Sequence, residues 1–319
     1  MQVGLHASHE QFPPSYLLRV ARQAEAAGFG AVLSSDHLAP WSRSQGNAGF
    51  AWTGLGAVAA TTQLPMGIVT APVDRYHPVI VAQAIATVAE LAPGRLVPSL
   101  GSGQALNEHV SGRPWPDKGV RNARHAEAAD VIRRLLAGET VDHDGLVRVH
   151  QARIFSRPAA TPPLFAAALT PETAAAVAAW SEGLITVHAP RERLARVIDA
   201  YRSAGDGQQP VHVQLHLSWA QTREQVEAQA LEQWRTNAFP PGLTESITTP
   251  EEFDRRAAKV TVDDLRDSVV MSTELGHHAD VIAGLEDLGV DRVYLHQVGT
   301  DQERFVEAFG GQVLSQVSG

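Results

Sequence analysis

Strand-like apolar runs alternate with longer amphipathic stretches almost from one end of the chain to the other, and this limits the fold more than any single motif. "VGLHA" (Val3 to Ala7) precedes "PSYLLRVARQAEAAG", with Pro14 near a helix start and Gly28 at its end. "AVLSSD" follows, then "GIVTA" before "PVIVAQAIATVAELAPG", and "RLVPSLGSG" before a helix near Val120–Ala137. "LFAAAL", "GLITVH", "VHVQLHLSWA" and "DRVYLHQV" each lead into a further helical stretch, which makes eight strand-then-helix units. Short, nearly uniformly apolar strands that return through helices require a parallel sheet covered on both faces. Eight of them predict one α/β domain over 1–319, a closed (β/α)8 TIM barrel.

Two segments break the repeat. Within about 138–156, "DG" between alternating apolar residues predicts a β-hairpin insertion. Residues 237–275 are too long for a plain loop and are expected to fold as extra helices over the barrel mouth. Pro98 lies inside the fourth strand, where it removes a ladder donor.

Composition narrows the partners. There are 26 Lys and Arg against 35 Asp and Glu, a formal charge of −9, and the basic residues are scattered. Nucleic acid and anionic membrane, which need concentrated positive surface, are therefore not expected partners, and a small-molecule substrate is. The absence of cysteine excludes disulfides, thiolate catalysis and Cys-ligated metal centres. The N-terminus "MQVGLHASHEQF" has no signal-peptide pattern and no long apolar run follows, so a cytoplasmic location is expected.

In a barrel of this kind, polar residues at the C-terminal strand ends line the site. They are His6, Ser8, His9 and Glu10 after the first strand, Ser35, Asp36 and His37 after the second, and Thr70 after the third. Ser102, Gln104, Asn107 and Glu108 follow the fourth strand, His188 the sixth, Trp219 the seventh, and His296 and Gln297 the eighth. Each has an ordinary reading too: "SSDH" as a capped turn, Glu10 as a helix cap, Trp41, Trp52 and Trp115 as loop packing. Capping residues have no reason to gather at several strand ends together, and that convergence favours a site. Zinc hydrolysis fits poorly: His6 lacks a His-x-His partner, the adjacent His277 and His278 diverge on a helix, and no metal ligand is expected. "GSGQAL" has Leu106 where a dinucleotide loop needs its third glycine, and it falls on the fourth strand instead of the first.

"ASHEQF", "SSDHLAPW", "RYHPVIVAQAIATVAELAPGR", "LGSGQALNEHVSG" and "HQVGTDQERFVEAF" together resemble the bacterial luciferase-like superfamily of flavin- and deazaflavin-dependent oxidoreductases. Within it the chain is similar to the glucose-6-phosphate dehydrogenases that use coenzyme F420, and most similar to a sister group of FMN-dependent oxidoreductases. The resemblance implies a barrel with the ring of the cofactor at the C-terminal mouth, and a homodimer. It implies that Asp36 lies against the ring, that His37 and Trp41 face the reacting centre, and that Glu10 and Glu108 are the pocket carboxylates able to move a proton. Ser102, Gln104 and Asn107 match positions that contact the cofactor, as do Ile68, Val69 and Thr70 of the third strand. That strand often carries a non-proline cis peptide in the family, here expected at Ile68-Val69. Arg304 and His296 match substrate-facing positions.

Three departures bear on function. The catalytic acid of the sugar dehydrogenases is here Gln104, an amide that cannot exchange a proton near neutral pH. Their phosphate clamp of two lysines and an arginine retains only Arg304, since one lysine position falls near Asp267 and the other near His188. Glucose 6-phosphate is thus not the expected substrate. Their Gly-Gly-Pro turn is Leu169-Thr170-Pro171, whose β-carbons block the closest backbone approach to a cofactor phosphate. FMN is therefore the expected cofactor and F420 the alternative. The leading expectation is hydride transfer or monooxygenation of a small organic substrate. An F420-dependent dehydrogenase not acting on glucose 6-phosphate, a cofactor-binding protein with little catalysis, and a metal-dependent hydrolase are the competitors.

Overall fold

The computed structural model describes residues 1–317. The first half runs β1 (Gln2–Ala7), α1 (Pro14–Ala26), β2 (Val32–Ser35), α2 (Ala51–Thr61), β3 (Met66–Thr70), α3 (Pro78–Leu91) and β4 (Leu96–Leu100). A short α4 (Ala105–Glu108) and a long α5 (Lys118–Ala137) lead to the hairpin β5 (Val141–Asp144) and β6 (Arg148–Ala152). Then come β7 (Phe165–Ala167), α6 (Pro171–Val177), β8 (Gly183–Val187), α7 (Arg191–Ala204), β9 (Val211–Ser218) and α8 (Arg223–Trp234). The second insertion holds α9 (Pro241–Thr244), α10 (Pro250–Arg256) and β10 (Val270–Met271), before α11 (Leu275–Glu286), β11 (Arg292–Gln297) and α12 (Gln302–Gln312).

Eight parallel strands close on themselves in the order β1-β2-β3-β4-β7-β8-β9-β11, with β11 returning to β1 through Leu5↔Leu295. The chain is the (β/α)8 barrel that its periodicity predicts. Side-chain alternation divides each strand between two cores. In β9, Val211, Val213, Leu215 and Leu217 join the core beneath the helices, while His212 turns inward against Phe165 and Tyr294. Inside the barrel, Leu33, Ile185 and Tyr294 form a small cluster. Gly4 makes room for it: a Cβ there would lie 2.8 Å from Tyr294 Cδ1. Prolines open α1, α3, α6 and α10, where their missing N–H is no loss.

Pro98 is accommodated within β4 by the same alternation. Gly101 donates to Thr70 O at 2.8 Å, so Pro98, an odd number of residues away, faces β7, whose pairing with β4 begins only at Ser99. The expected cis bond is absent, because among the described residues every peptide is trans. β3 pairs without interruption on both sides, Ile68 with Ser34 and Pro98, and Val69 with Ser35 and Ser99.

The hairpin forms a separate antiparallel pair. The second insertion folds into the expected short helices, then adds β10, which the periodicity did not reveal. β8 covers β9 only as far as Val187↔Gln214, and β10 takes up the same edge higher, at Val270↔Leu217 and Met271↔Ser218. Among the described residues no helix is long and apolar enough to cross a membrane.

Candidate active site

The loops after β1 to β4 bring the principal polar groups together. Glu10, 1% exposed, takes the Ser8 hydroxyl at 3.0 Å on Oε2, and its Oε1 lies 3.3 Å from His37 Nε2. Burial raises the Glu10 carboxyl above its ordinary pKa. His37 is held down to about 4, first by burial and then by the Arg75 charge, so its ring is neutral near neutral pH.

The proton on that ring can be placed. The Leu38 N–H donates to Asn107 Oδ1 at 2.8 Å, and only the oxygen of the amide can accept. Asn107 Nδ2 therefore faces His37 Nδ1, at 3.2 Å, as a donor. Nδ1 is bare, and the single proton of the neutral ring sits on Nε2, directed at Glu10. Trp41 lies against the imidazole with centroids 4.9 Å apart, and Phe253 of α10 stands edge-on to Trp41 at 5.4 Å. The second insertion thus closes over the loop that carries His37.

Beside this pair, Asp36 accepts from the Thr70 hydroxyl at 2.7 Å and from Tyr76 at 3.3 Å, with Arg75 3.4 Å away. Burial first and Asp36 second push the Tyr76 hydroxyl up, which keeps it a proton donor. Glu108 serves the backbone instead. Its Oε2 accepts the N–H groups of Asp74 and Arg75 at 3.1 and 2.6 Å, bracing the β3–α3 loop. Burial raises Glu108 as well, and its Oε1 has no hydrogen-bond partner among the described residues. Sequence reasoning missed Arg75 and Tyr76 as site residues. The available signal was charge, since Asp74 and Arg75 are the only Asp, Glu, Lys or Arg between Arg43 and Glu90.

The β4–α4 loop supplies open donors. Gly103 adopts φ +79°, and a Cβ there would stand 2.8 Å from Val73 Cγ2, so this bend requires glycine. The N–H groups of Ser102, Gly103 and Gln104 find no acceptor among the described residues, nor does the Gln104 side-chain amide find a partner. Three unpaired N–H groups in a row beside a glycine bend suit the polar edge of a planar heterocycle, and the residues present fit a flavin or deazaflavin ring. The Ser102 hydroxyl accepts from Lys118 at 3.4 Å.

Other expected residues stand apart. Ile68 packs in the core under the helices, on the opposite side of β3 from Val69, which joins the cluster inside the barrel. Leu169 is 44% exposed, and the Thr170 hydroxyl caps α6 by accepting the Thr173 N–H at 3.3 Å. Arg304 is exposed on α12. His296 is buried, with Nε2 2.8 Å from Gln11 Oε1 and Nδ1 2.9 Å from His216 Nδ1. Among the described residues no three His, Asp or Glu gather in a way that could hold a metal ion.

Known families and solved structures resemble this chain over most of its length. The Luciferase-like monooxygenase family matches residues 1–292. An F420-dependent glucose-6-phosphate dehydrogenase of Nakamurella multipartita is 32% identical over 99% of this chain and 96% of its own. The F420-dependent hydroxymycolic acid dehydrogenase of Mycobacterium tuberculosis is 31% identical over 99% of this chain and 88% of its own. An F420-dependent secondary alcohol dehydrogenase, solved with an F420-acetone adduct, superposes with TM-score 0.91 at 26% identity, covering 99% of this chain and 98% of that one. The monooxygenase RslO1 of Streptomyces bottropensis shares the fold, at TM-score 0.75 and 20% identity. The similar chains are named for F420, which supports the F420 alternative more than FMN. The chain belongs to the bacterial luciferase-like family and is an oxidoreductase.

Proposed function

We propose that this protein is an F420-dependent dehydrogenase acting on the carbinol carbon of a small organic alcohol, or on the corresponding carbonyl. The observation that carries the reading is the pairing of a neutral His37, its proton fixed on Nε2, with the buried carboxylate of Glu10 at 3.3 Å. Bound at the mouth, the deazaflavin supplies a two-electron hydride acceptor. Ser102, Gly103, Gln104 and Asp36 are the groups that would hold it. A substrate hydroxyl entering between His37 and Glu10 meets a donor and an acceptor. Glu10 takes the hydroxyl proton while the carbinol hydride departs, and the His37 Nε2–H stabilises the oxygen as it gains charge. Burial makes Glu10 a stronger base than an exposed carboxylate, which suits the part left open by Gln104. Trp41 walls the substrate side and excludes water.

Glucose 6-phosphate is not part of the proposal, since the lysine positions of the clamp are empty of Lys and Arg304 is exposed. Fluorescence titration of the purified protein with F420 and, separately, FMN tests the cofactor, and a panel of alcohols and ketones followed by deazaflavin absorbance tests the reaction. FMN binding without F420 binding would sink the reading. The proposal includes a homodimer through the outer face of α2 and α3, where Phe50, Ile80 and Leu91 are 53%, 54% and 57% exposed. Ile80→Asp should halve the mass measured by light scattering, and a monomeric parent chain would refute the pairing.

A further inference from the structure

Glu245, just after α9, reaches from the second insertion to the β4–α4 loop. Its carbonyl accepts the Ala105 N–H at 2.9 Å. One oxygen of its carboxylate takes Lys118 Nζ at 2.7 Å, and the other takes Arg121 Nη2. Arg121 is 5% exposed, and its remaining contacts are the Pro116 carbonyl at 2.8 Å and the face of Trp115 at 4.7 Å. Its Nε has no partner among the described residues. Lys118 also donates to Ser102 Oγ at 3.4 Å, which sets the two cations next to the unpaired N–H groups of Ser102, Gly103 and Gln104.

A buried guanidinium left without an anion is strongly unfavourable. Arg121 and Lys118 share Glu245 as their ion-pair partner, and that partner belongs to an insertion, not to the barrel. Ile247 and Phe253 anchor the insertion against Leu106, and Leu243 of the turn packs on the same cluster, so release of the turn 240–246 gives up the Leu243 contact while Ile247 and Phe253 stay seated. The turn can leave only if another anion replaces the Glu245 carboxylate.

We propose that Arg121, Lys118 and Ser102 form a carboxylate-binding site on the rim of the barrel, that Glu245 fills it as an internal surrogate, and that a carboxylate of the incoming ligand displaces Glu245 and frees the turn. This does not depend on which cofactor the mouth holds. The carboxylate can belong to the cofactor or to the substrate, and the test separates them.

The probe is glutarate, with binding measured by calorimetry on the full chain and hydrogen exchange followed across 240–247 and at Ala105. Glu245→Gln should bind glutarate about tenfold more tightly than the parent, because the internal competitor no longer reduces the competent fraction. It should also exchange faster across 240–247 without ligand, and glutarate should produce the same acceleration in the parent. Lys118→Gln, at a half-exposed position, should weaken binding by about fivefold while the fold is retained. Arg121→Gln should abolish binding. Loss of glutarate binding once F420 is loaded assigns the site to a cofactor carboxylate, and persistence assigns it to the substrate. Equal glutarate affinity in parent and Glu245→Gln, or exchange across 240–247 that does not change in Glu245→Gln, overturns the proposal.

Discussion

The two sides of the barrel mouth are both rich in ionisable side chains, yet they use them in opposite ways. On the β1–β4 side, Glu10, Asp36 and Glu108 are buried carboxylates answered by named donors, and His37 is fixed between one of them and Asn107. On the β8–β9–β11 side, His188 and His216 are depressed to about 4 and 3, and His296 well below its ordinary value, in each case chiefly by burial. His212, at the start of β9 and the far end of the barrel from the mouth, is likewise held down to about 3. Carboxylates are absent from the causes of those shifts. The tautomers on this side are also set. Val298 O accepts Gln11 Nε2 at 2.8 Å, so Gln11 Oε1 faces His296 Nε2–H, and His216 Nδ1 must donate to His296 Nδ1. An imidazole beside a carboxylate can hand on a proton. One held by amides and other imidazoles is polar packing, rigid and neutral.

The largest expected effect separates the sides. His37→Ala should lower kcat by about 10²–10³, the usual range for losing a hydrogen-bond donor to the oxygen that gains charge, with F420 affinity nearly unchanged. His216→Asn should cost less than about fivefold in kcat, because it alters packing and not proton transfer. Equal losses in the two variants would erase the distinction between the sides.

Next in size is Glu10→Gln, expected to reduce alcohol oxidation by about 10². The sign of the pH dependence follows from its raised pKa. Glu10 must be ionised to act as base, so activity in the parent falls as pH drops through that raised value. The glutamine variant should lack this limb, and an unaltered pH profile would assign the limb to another group.

These contrasts show how much the sequence could reveal. The barrel was legible because its period is imposed by burial on every strand, and the "SSDH" and "LNE" stretches marked His37, Asp36 and Asn107 by position alone. What could not be read is who answers whom. Glu108 looks equivalent to Glu10 along the chain, but α4 turns it toward the Asp74 and Arg75 backbone. Gln11, Gln45 and Gln233 form contacts across more than a hundred residues, Gln45 taking the Trp41 N–H at 2.8 Å and donating to Gln233 O at 2.9 Å. Neutral amides give no charge pattern from which such partners can be found. Ile68 and Val69 are adjacent in sequence, and only the direction of the pleat places one outside the barrel and the other within.

A smaller effect tests the buried imidazoles of the barrel. These groups have folded pKa values below the unfolded value of 6.5, so stability is full above that pH and is lost as pH falls toward the folded values. Between about pH 6.5 and pH 5, each such imidazole should cost about 2 kcal/mol, since one pKa unit is worth about 1.4 kcal/mol. Thermal melts should therefore fall steeply over that interval. His212→Leu, between Phe165 and Tyr294, should flatten the dependence by about the cost of one imidazole and leave kcat close to that of the parent. An unchanged slope would mean that His212 already titrates normally.

Gln104→Glu is the gentlest challenge, because it restores a carboxyl to the β4 loop without removing anything from the Glu10–His37 pair. Its side-chain amide has no partner to lose among the described residues, and the unpaired N–H groups of Ser102 and Gly103 can receive a negative charge. Folding should be unaffected. If Glu10 already takes the proton, the added acid should change kcat by less than about tenfold, while a second ionisation appears in the pH profile. A rise of about a hundredfold or more would mean that proton transfer was limiting for want of this acid, and Glu10 would then be a neighbour of His37 and not its working partner.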